Sequence, residues 1–301
     1  MDKARIALAI IWGLAIGGKL REKGGKNDAD WRLGAASDFS RHAARTGLPF
    51  LAQTIDYSAR MHGEPLAAAM VLAAGRGERM RPLTDTCPKP LLAVQGQPLM
   101  QWHLRALALA GCAQTVVNTA WLGEQIEQAF GAVTPWGSYI TYSHEGRDFG
   151  GALETAGGIA RALPHLADVF WVVAGDVYLP GFPFERAALE RFAASTALAH
   201  LYLVPNPPHN PRGDFGLSAQ GLALNLPKDA PGERYTYSTV GLYRKSFFDD
   251  LPAGNPQGLK APLAPMLRAA MDNGRITAEL WRGPWTDVGT PERLAELNSG
   301  R

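Results

Sequence analysis

From Ala67 onward the chain alternates short apolar runs that stop at glycine with stretches whose apolar positions recur every three or four residues. This is the pattern of strands followed by amphipathic helices. Ala67–Ala74 predicts a buried strand ending at Gly75, and Leu91-Leu-Ala-Val predicts a short strand after a long loop. Pro98–Ala110 reads as a helix, with proline in its first turn, Leu99, Leu104 and Leu107 on one face, and Gly111 as its stop. Thr115–Asn118, Tyr139–Ser143 and Val169–Asp176 follow as strands, separated by helices over Leu122–Phe130 and Thr155–Leu163. Beyond Leu201 the chain is richer in proline, glycine and aromatic residues. Strands are expected there at Leu201–Val204, Tyr235–Tyr243 and Ile276–Trp281, and helices at Leu263–Asn273 and Pro291–Leu297. Such alternation predicts an α/β fold, a mostly parallel twisted sheet with helices on both faces. Ligands of such sheets bind beyond the carboxyl ends of the strands, where both the Gly75 loop and Asp176 fall.

Residues 1–65 have a different texture and carry no readable motif. Ile6–Gly18 follows Lys3 and Arg5 as the apolar part of a secretory signal would, but it is short for a membrane span and leads into a charged run without a small-residue cleavage pattern. The segment is read as an N-terminal extension ahead of a domain at residues 66–301, arising from a start codon placed too early. A targeting segment and a partner-binding arm are its alternatives. No stable membrane association is expected.

Composition narrows the function classes. With 46% hydrophobic residues in 301, the chain can build a sizeable core. A formal net charge of +2 gives no overall basic field for nonspecific nucleic-acid binding, so any anion site has to be local. Cys87 and Cys112 form no disulfide framework and lack metal-ligand spacing, which fits a cytoplasmic location.

The chemistry concentrates between Leu72 and Pro90, Leu-Ala-Ala-Gly-Arg-Gly-Glu-Arg-Met-Arg-Pro-Leu-Thr-Asp-Thr-Cys-Pro-Lys-Pro. Glycines after a buried strand let the backbone turn tightly and aim N–H groups at a phosphate. A dinucleotide fingerprint would need a third glycine where Met80 stands, and a P-loop would need Gly-Lys-Ser/Thr. Instead the loop carries Arg76, Arg79 and Arg81, then Lys89 held between Pro88 and Pro90, whose rings restrict the backbone around it.

This segment resembles the signature of the sugar-1-phosphate nucleotidyltransferase family. The likeness extends from about Ala69 to Leu297 through Gly96-Gln-Pro-Leu, Glu154-Thr-Ala-Gly-Gly, Gly175-Asp176 and Trp285-Thr-Asp287-Val-Gly-Thr. It implies a Rossmann-like nucleotidyltransferase fold over residues 66–301. It also implies a reaction in which a sugar 1-phosphate attacks a nucleoside triphosphate and releases pyrophosphate. By resemblance, Gly75, Gly77 and Glu78 shape the nucleotide loop, Arg79 holds the departing phosphates, and Lys89 sits on the triphosphate. Glu154 and Gly157 lie near base and ribose, and Asp176 and Asp287 hold Mg²⁺. Asn118 at a strand end fits two readings, a ligand contact or a turn tie.

Within the family, the run from Asn206 to Phe215, with Trp121 and the compact carboxyl end, is most similar to the branch that joins UTP to N-acetylmuramate α-1-phosphate in peptidoglycan recycling. Asp214 is then a candidate contact on the sugar side, or a surface turn. Two departures stand out: residues 146–152 form a longer loop than usual, and Thr239 occupies a position where the family has glycine. The alternatives are a guanylyltransferase for mannose 1-phosphate, a thymidylyltransferase for glucose 1-phosphate, and, from another class, a noncatalytic nucleotide-sugar sensor.

Overall fold

The computed structural model describes residues 67–227, 229 and 231–299, so the expectations for residues 1–65 lie outside the described residues. The strands are β1 (Ala67–Ala73), β2 (Ala93–Val94), β3 (Gln97–Pro98), β4 (Gln114–Thr119), β5 (Tyr139–His144), β6 (Leu166–Ala174) and β7 (Val177–Tyr178). They continue with β8 (Ala199–Val204), β9 (Phe215–Leu217), β10 (Ala223–Leu224), β11 (Arg234–Arg244), β12 (Ile276–Leu280) and β13 (Thr286–Asp287). Nine of these build one sheet in the order β10-β9-β11-β6-β1-β4-β5, with β8 on β11 and β12 on β8.

β1 is the central strand because its sequence has no polar face. It pairs in parallel with β4 and β6, setting Met70 opposite Val116 on one side and Val172 on the other. Successive residues supply opposite cores. Met70 joins Val172, Ile159 and Leu267 on one face, while Val71 joins Val117, Leu104 and Trp171 on the other. The first face is covered by helices Glu154–Ala162 and Leu263–Asp272, the second by Leu99–Leu109, Gly123–Phe130 and Arg186–Ala194. A strand buried on both sides reads as continuous apolar sequence rather than alternation. Truncating Met70, which is fully buried, to alanine costs about 2–5 kcal/mol.

The sheet is mixed. β4 and β5 are parallel, as are β12 and β8, but β11 runs antiparallel to β6, β8 and β9. A bulge between Tyr237 and Val240 bends β11, so that its second half pairs with β6 while Arg234 and Tyr235 pair with β9. Thr239 lies in that bulge with φ +63, a left-handed conformation that glycine adopts without the cost a β-branched residue bears. This explains why a glycine is expected there.

Three local readings change. Residues 145–149 form a short helix ended by Gly150 at φ +77, where a longer loop was expected. Its Asp148 accepts a hydrogen bond from Arg161 at 2.7 Å, a distant partner that periodicity does not reveal. Helix Arg186–Ala194 was not anticipated. Lys89–Leu91 forms a tight 3-10 turn, leaving only Ala93–Val94 as strand. No helix among the described residues is long and apolar enough to cross a membrane.

Candidate active site

The carboxyl ends of β1, β4 and β6 and the bulge of β11 open onto a cleft of ≈ 730 Å³. Gly75, Lys89, Asn118, Glu154, Asp176 and Asp214 all line it, so residues far apart in sequence meet at one crevice. Its size suits a small-molecule ligand.

The glycine loop sorts its arginines. Arg76 lies 3.8 Å over the Trp121 ring and donates to the Thr84 carbonyl at 2.8 Å and to Asp85 at 2.9 Å. Trp121 Nε1 donates to the same carbonyl at 2.9 Å. Arg81 donates to Asp85 at 2.8 Å, and these guanidiniums, Arg76 foremost, hold the Asp85 carboxyl below its usual range. Arg76 and Arg81 are therefore committed to the loop itself. Arg79 is exposed on the turn Glu78–Met80 and makes no hydrogen bond or ion pair among the described residues. Glu78, also exposed, faces Arg76 and Arg81 at 3.9 Å each.

The two glycines differ in role. A Cβ on Gly75 would meet nothing within 4 Å, which leaves the backbone open toward the cleft. Gly77 adopts φ +71, and a Cβ there would stand 3.0 Å from Thr84 Cγ2 and 3.4 Å from Lys89 Cβ. Its carbonyl accepts from Thr84 Oγ1 at 2.8 Å. Gly77 lets the loop fold down onto Lys89 and does not itself line the cleft.

Lys89 is buried, at 7% exposure, and its Nζ lies 2.6 Å from Asp176 Oδ2. Asp176 follows β6 through Gly175, whose N–H donates to the Leu72 carbonyl at 2.8 Å. A Cβ on Gly175 would lie 2.9 Å from that oxygen, so glycine is what permits Asp176 to follow so close to β1. Beyond it, β7 pairs with β13, placing Asp287 opposite Val177, and Val288 N–H donates to the Asp176 carbonyl at 3.1 Å. His103 Nε2 donates to the Val177 carbonyl at 2.8 Å, and burial pushes its pKa down to about 4, keeping it neutral.

Asp176 thus immediately precedes β7, and Asp287 sits on β13 opposite the first residue of β7. Asp287 Oδ2 receives Arg293 Nη1 at 2.8 Å and lies 3.4 Å from His209 Nε2. No group of three or more His, Cys, Asp or Glu suited to hold a metal occurs among the described residues. Asp176 lines the cleft, whereas Asp287 is not among its lining residues and stands on β13 opposite Val177. A Mg²⁺ ion held by these two carboxylates would therefore need ligand phosphate oxygens, rather than a closed protein cage, to complete its shell.

Asn118 resolves toward a tie. Its Oδ1 accepts from Ala73 N–H at 2.8 Å, and its Nδ2 donates to Glu145 Oε1 at 2.7 Å. Glu145 is fully buried and also accepts from Leu153 N–H at 2.8 Å. Burial raises its pKa, opposed by those two hydrogen bonds. Glu154 is exposed at the rim with φ +62, an uncommon conformation for a side-chain-bearing residue. Gly157 is buried and does not line the cleft. A Cβ there would stand 2.4 Å from the Leu259 carbonyl, so it serves close packing of helix Glu154–Ala162 against residues 259–261.

At the far end, Asp214 Oδ2 accepts from Tyr237 N–H at 2.9 Å, which anchors it to the bulged strand. Phe215, Tyr237, Leu263, Leu267 and Arg268 complete this wall. Phe215 enters the sequence reading only as the end of the Asn206–Phe215 run, and the other four are not singled out there because they sit in plain strand and helix patterns.

A family model described as nucleotidyl transferase matches residues 68–300. An N-acetylmuramate alpha-1-phosphate uridylyltransferase from Neisseria meningitidis is 50% identical over 237 residues, covering 77% of this chain and 96% of the relative. One from Caulobacter vibrioides is 32% identical, covering 76% and 97%. The crystal structure of HddC from Yersinia pseudotuberculosis complexed with GMP-PN shares the fold, with a TM-score of 0.59 at 16% identity over 78% of this chain and 99% of that one. The glycine loop, the Lys89–Asp176 pair and these matches over the same residues agree, and the chain belongs to the nucleotidyl transferase family.

Proposed function

We propose that the protein joins UTP to N-acetylmuramate α-1-phosphate, giving UDP-N-acetylmuramate and pyrophosphate, within peptidoglycan recycling in the cytoplasm. The observation that carries the reaction type is the buried Lys89 ammonium beside Asp176 on the floor of an open cleft. The choice of substrates is supported by the identity to the Neisseria enzyme across nearly its whole length.

A sugar-phosphate oxygen, already anionic near neutral pH because the second pKa is about 6, forms the new bond to the α-phosphorus. The bond from that phosphorus to the bridging oxygen breaks, and pyrophosphate leaves with the electron pair. No general base is needed, so the chain's task is positioning and charge neutralisation. Lys89 neutralises the α-phosphate. The open backbone around Gly75, on the turn that Gly77 permits, receives the triphosphate, and Arg79, the loop arginine left uncommitted, holds the departing phosphates. Glu154 flanks base and ribose, with Gly157 behind it as packing, and Asp214 faces the sugar. Asp176 and Asp287 would hold Mg²⁺, which would reduce the charge on the triphosphate when bound.

The test is a matrix of UTP, GTP and dTTP against N-acetylmuramate, N-acetylglucosamine, glucose and mannose 1-phosphates with Mg²⁺, scored by pyrophosphate release. UTP with N-acetylmuramate α-1-phosphate is expected to give the highest kcat/KM. Preference for GTP with mannose 1-phosphate or dTTP with glucose 1-phosphate overturns the substrate assignment. Release from no pair overturns the enzyme reading in favour of a nucleotide-sugar sensor.

A further inference from the structure

The sheet order gives the cleft a direction. The glycine loop leaves β1 and the Glu145–Glu154 segment follows β5, whereas Asp214 and Phe215 lie at β9, on the other side of β6 and β11. A second cavity of ≈ 510 Å³ adjoins that far end and shares Asp214 and Arg268 with the main cleft. Three guanidiniums stand on its wall, those of Arg212, Arg234 and Arg268. None of the three pairs with a carboxylate among the described residues. Asp214 is the single acid on that wall, and its oxygens already accept from Tyr237 N–H at 2.9 Å and Asn210 Nδ2 at 3.2 Å.

The arginines are held in different ways. Arg234 donates to the Leu226 and Pro227 carbonyls and is part of the frame. Arg268 packs 5.1 Å over the Phe215 ring and donates one N–H, from Nη1, to Asn225 Oδ1 at 2.8 Å. Asn225 is fixed in turn by donating to both oxygens of Asp272, at 3.0 and 3.1 Å. A guanidinium has five N–H donors, so Arg268 retains donors beyond the one given to Asn225. Arg212 is exposed and makes no hydrogen bond or ion pair among the described residues.

We propose that this arginine-walled annex, with Arg268 and Arg212 as its donors, is the subsite for a carboxylate carried by the sugar away from its 1-phosphate. It selects N-acetylmuramate over sugars that lack the acid. The inference rests on the functional reading above and deepens it. In N-acetylmuramate α-1-phosphate the lactyl ether supplies the one anion besides the phosphate. A wall of three guanidiniums against the single Asp214 carboxylate keeps a net positive charge next to the sugar end, and that excess matches the second anion. Arginine also offers paired donors to a planar carboxylate, which lysine does not.

The test compares kcat/KM for N-acetylmuramate and N-acetylglucosamine 1-phosphates, with UTP, in the wild-type protein and in Arg268→Gln, Arg268→Lys and Arg212→Gln. Loss of a charge-assisted contact is expected to lower kcat/KM for the acidic substrate about 10- to 100-fold, mostly through KM. N-acetylglucosamine 1-phosphate should change by less than about threefold, and Arg268→Lys should recover part of the loss. Arg212→Gln, at an exposed position without partners, keeps the test independent of folding defects at Arg268. Equal losses on both substrates, or unchanged preference in both glutamine variants, overturns the subsite while leaving the functional reading in place. A wild-type protein that turns over no N-acetylmuramate 1-phosphate overturns the functional reading, and the subsite with it.

Discussion

Replacing Lys89 by methionine removes the ammonium from the cleft floor and keeps a flexible apolar stem beneath the Gly77 turn. In the folded protein the ion pair is lopsided: the Lys89 side chain is 9% exposed, but that of Asp176 is 41% exposed and water-screened. Breaking it leaves an aspartate that water can solvate, worth about 1 kcal/mol or less. For a domain of this size that shifts Tm by no more than about 2–4 °C. In the transition state the same ammonium faces charge moving between phosphates in a partly enclosed site. Losing one preorganised contact there costs about 3–4 kcal/mol, or roughly 150- to 1000-fold in kcat. Pyrophosphate release at saturating UTP and sugar phosphate, read beside a thermal melt, separates the two effects. A variant with kcat within tenfold of wild type refutes the role given to Lys89. So does a fall in Tm beyond about 10 °C, which attributes the loss to unfolding.

Three further outcomes follow from the geometry. Asp287→Asn weakens one carboxylate of the proposed Mg²⁺ pair while Arg293 keeps its hydrogen bond to the residue 287 carbonyl, so a Mg²⁺ titration of activity should shift its midpoint at least about tenfold upward with the fold intact; an unchanged midpoint argues against Asp287 as a ligand. Below pH 6.5 the unfolded chain protonates His103 while the folded chain resists until about pH 4, so stability falls as pH drops through that window, by about 3 kcal/mol. His103→Gln should lose that slope in Tm measured from pH 7 to 4, and an identical slope contradicts the burial of a neutral imidazole. Gly157→Ala sets a Cβ against the Leu259 carbonyl at 2.4 Å and should cost about 2–3 kcal/mol in urea unfolding, whereas wild-type stability would show that residues 259–261 yield freely.

The parallel half of the fold was legible in the sequence because β1, β4 and β6 are buried on both faces and each ends at a residue with chemistry. Continuous apolar runs record double burial directly, and helices Leu99–Leu109 and Leu263–Asp272 announce themselves by period. The antiparallel half was less legible. The bent β11 draws its partners from β6, β8 and β9, and that choice depends on a bulge at Thr239 whose left-handed backbone no local pattern requires. Helix Glu145–Phe149 escaped because long-range contacts hold it, among them the Asp148–Arg161 pair.

By itself the sequence determined the reaction chemistry on offer: a glycine turn, a proline-flanked lysine, and two aspartates in short motifs. Side-chain availability belonged to tertiary structure. Of three loop arginines, Asp85 and Trp121 engage Arg76, Asp85 engages Arg81, and Arg79 is left uncommitted. Asn118 became a brace for Glu145, Gly157 a packing contact, and Arg268 a wall of the cleft. The physical reason is that residue type fixes what a group can donate or accept, whereas which partner consumes that capacity depends on how the chain folds, whether that partner is one turn away, as Asp85 is from Arg81, or far along the sequence, as Glu145 is from Asn118.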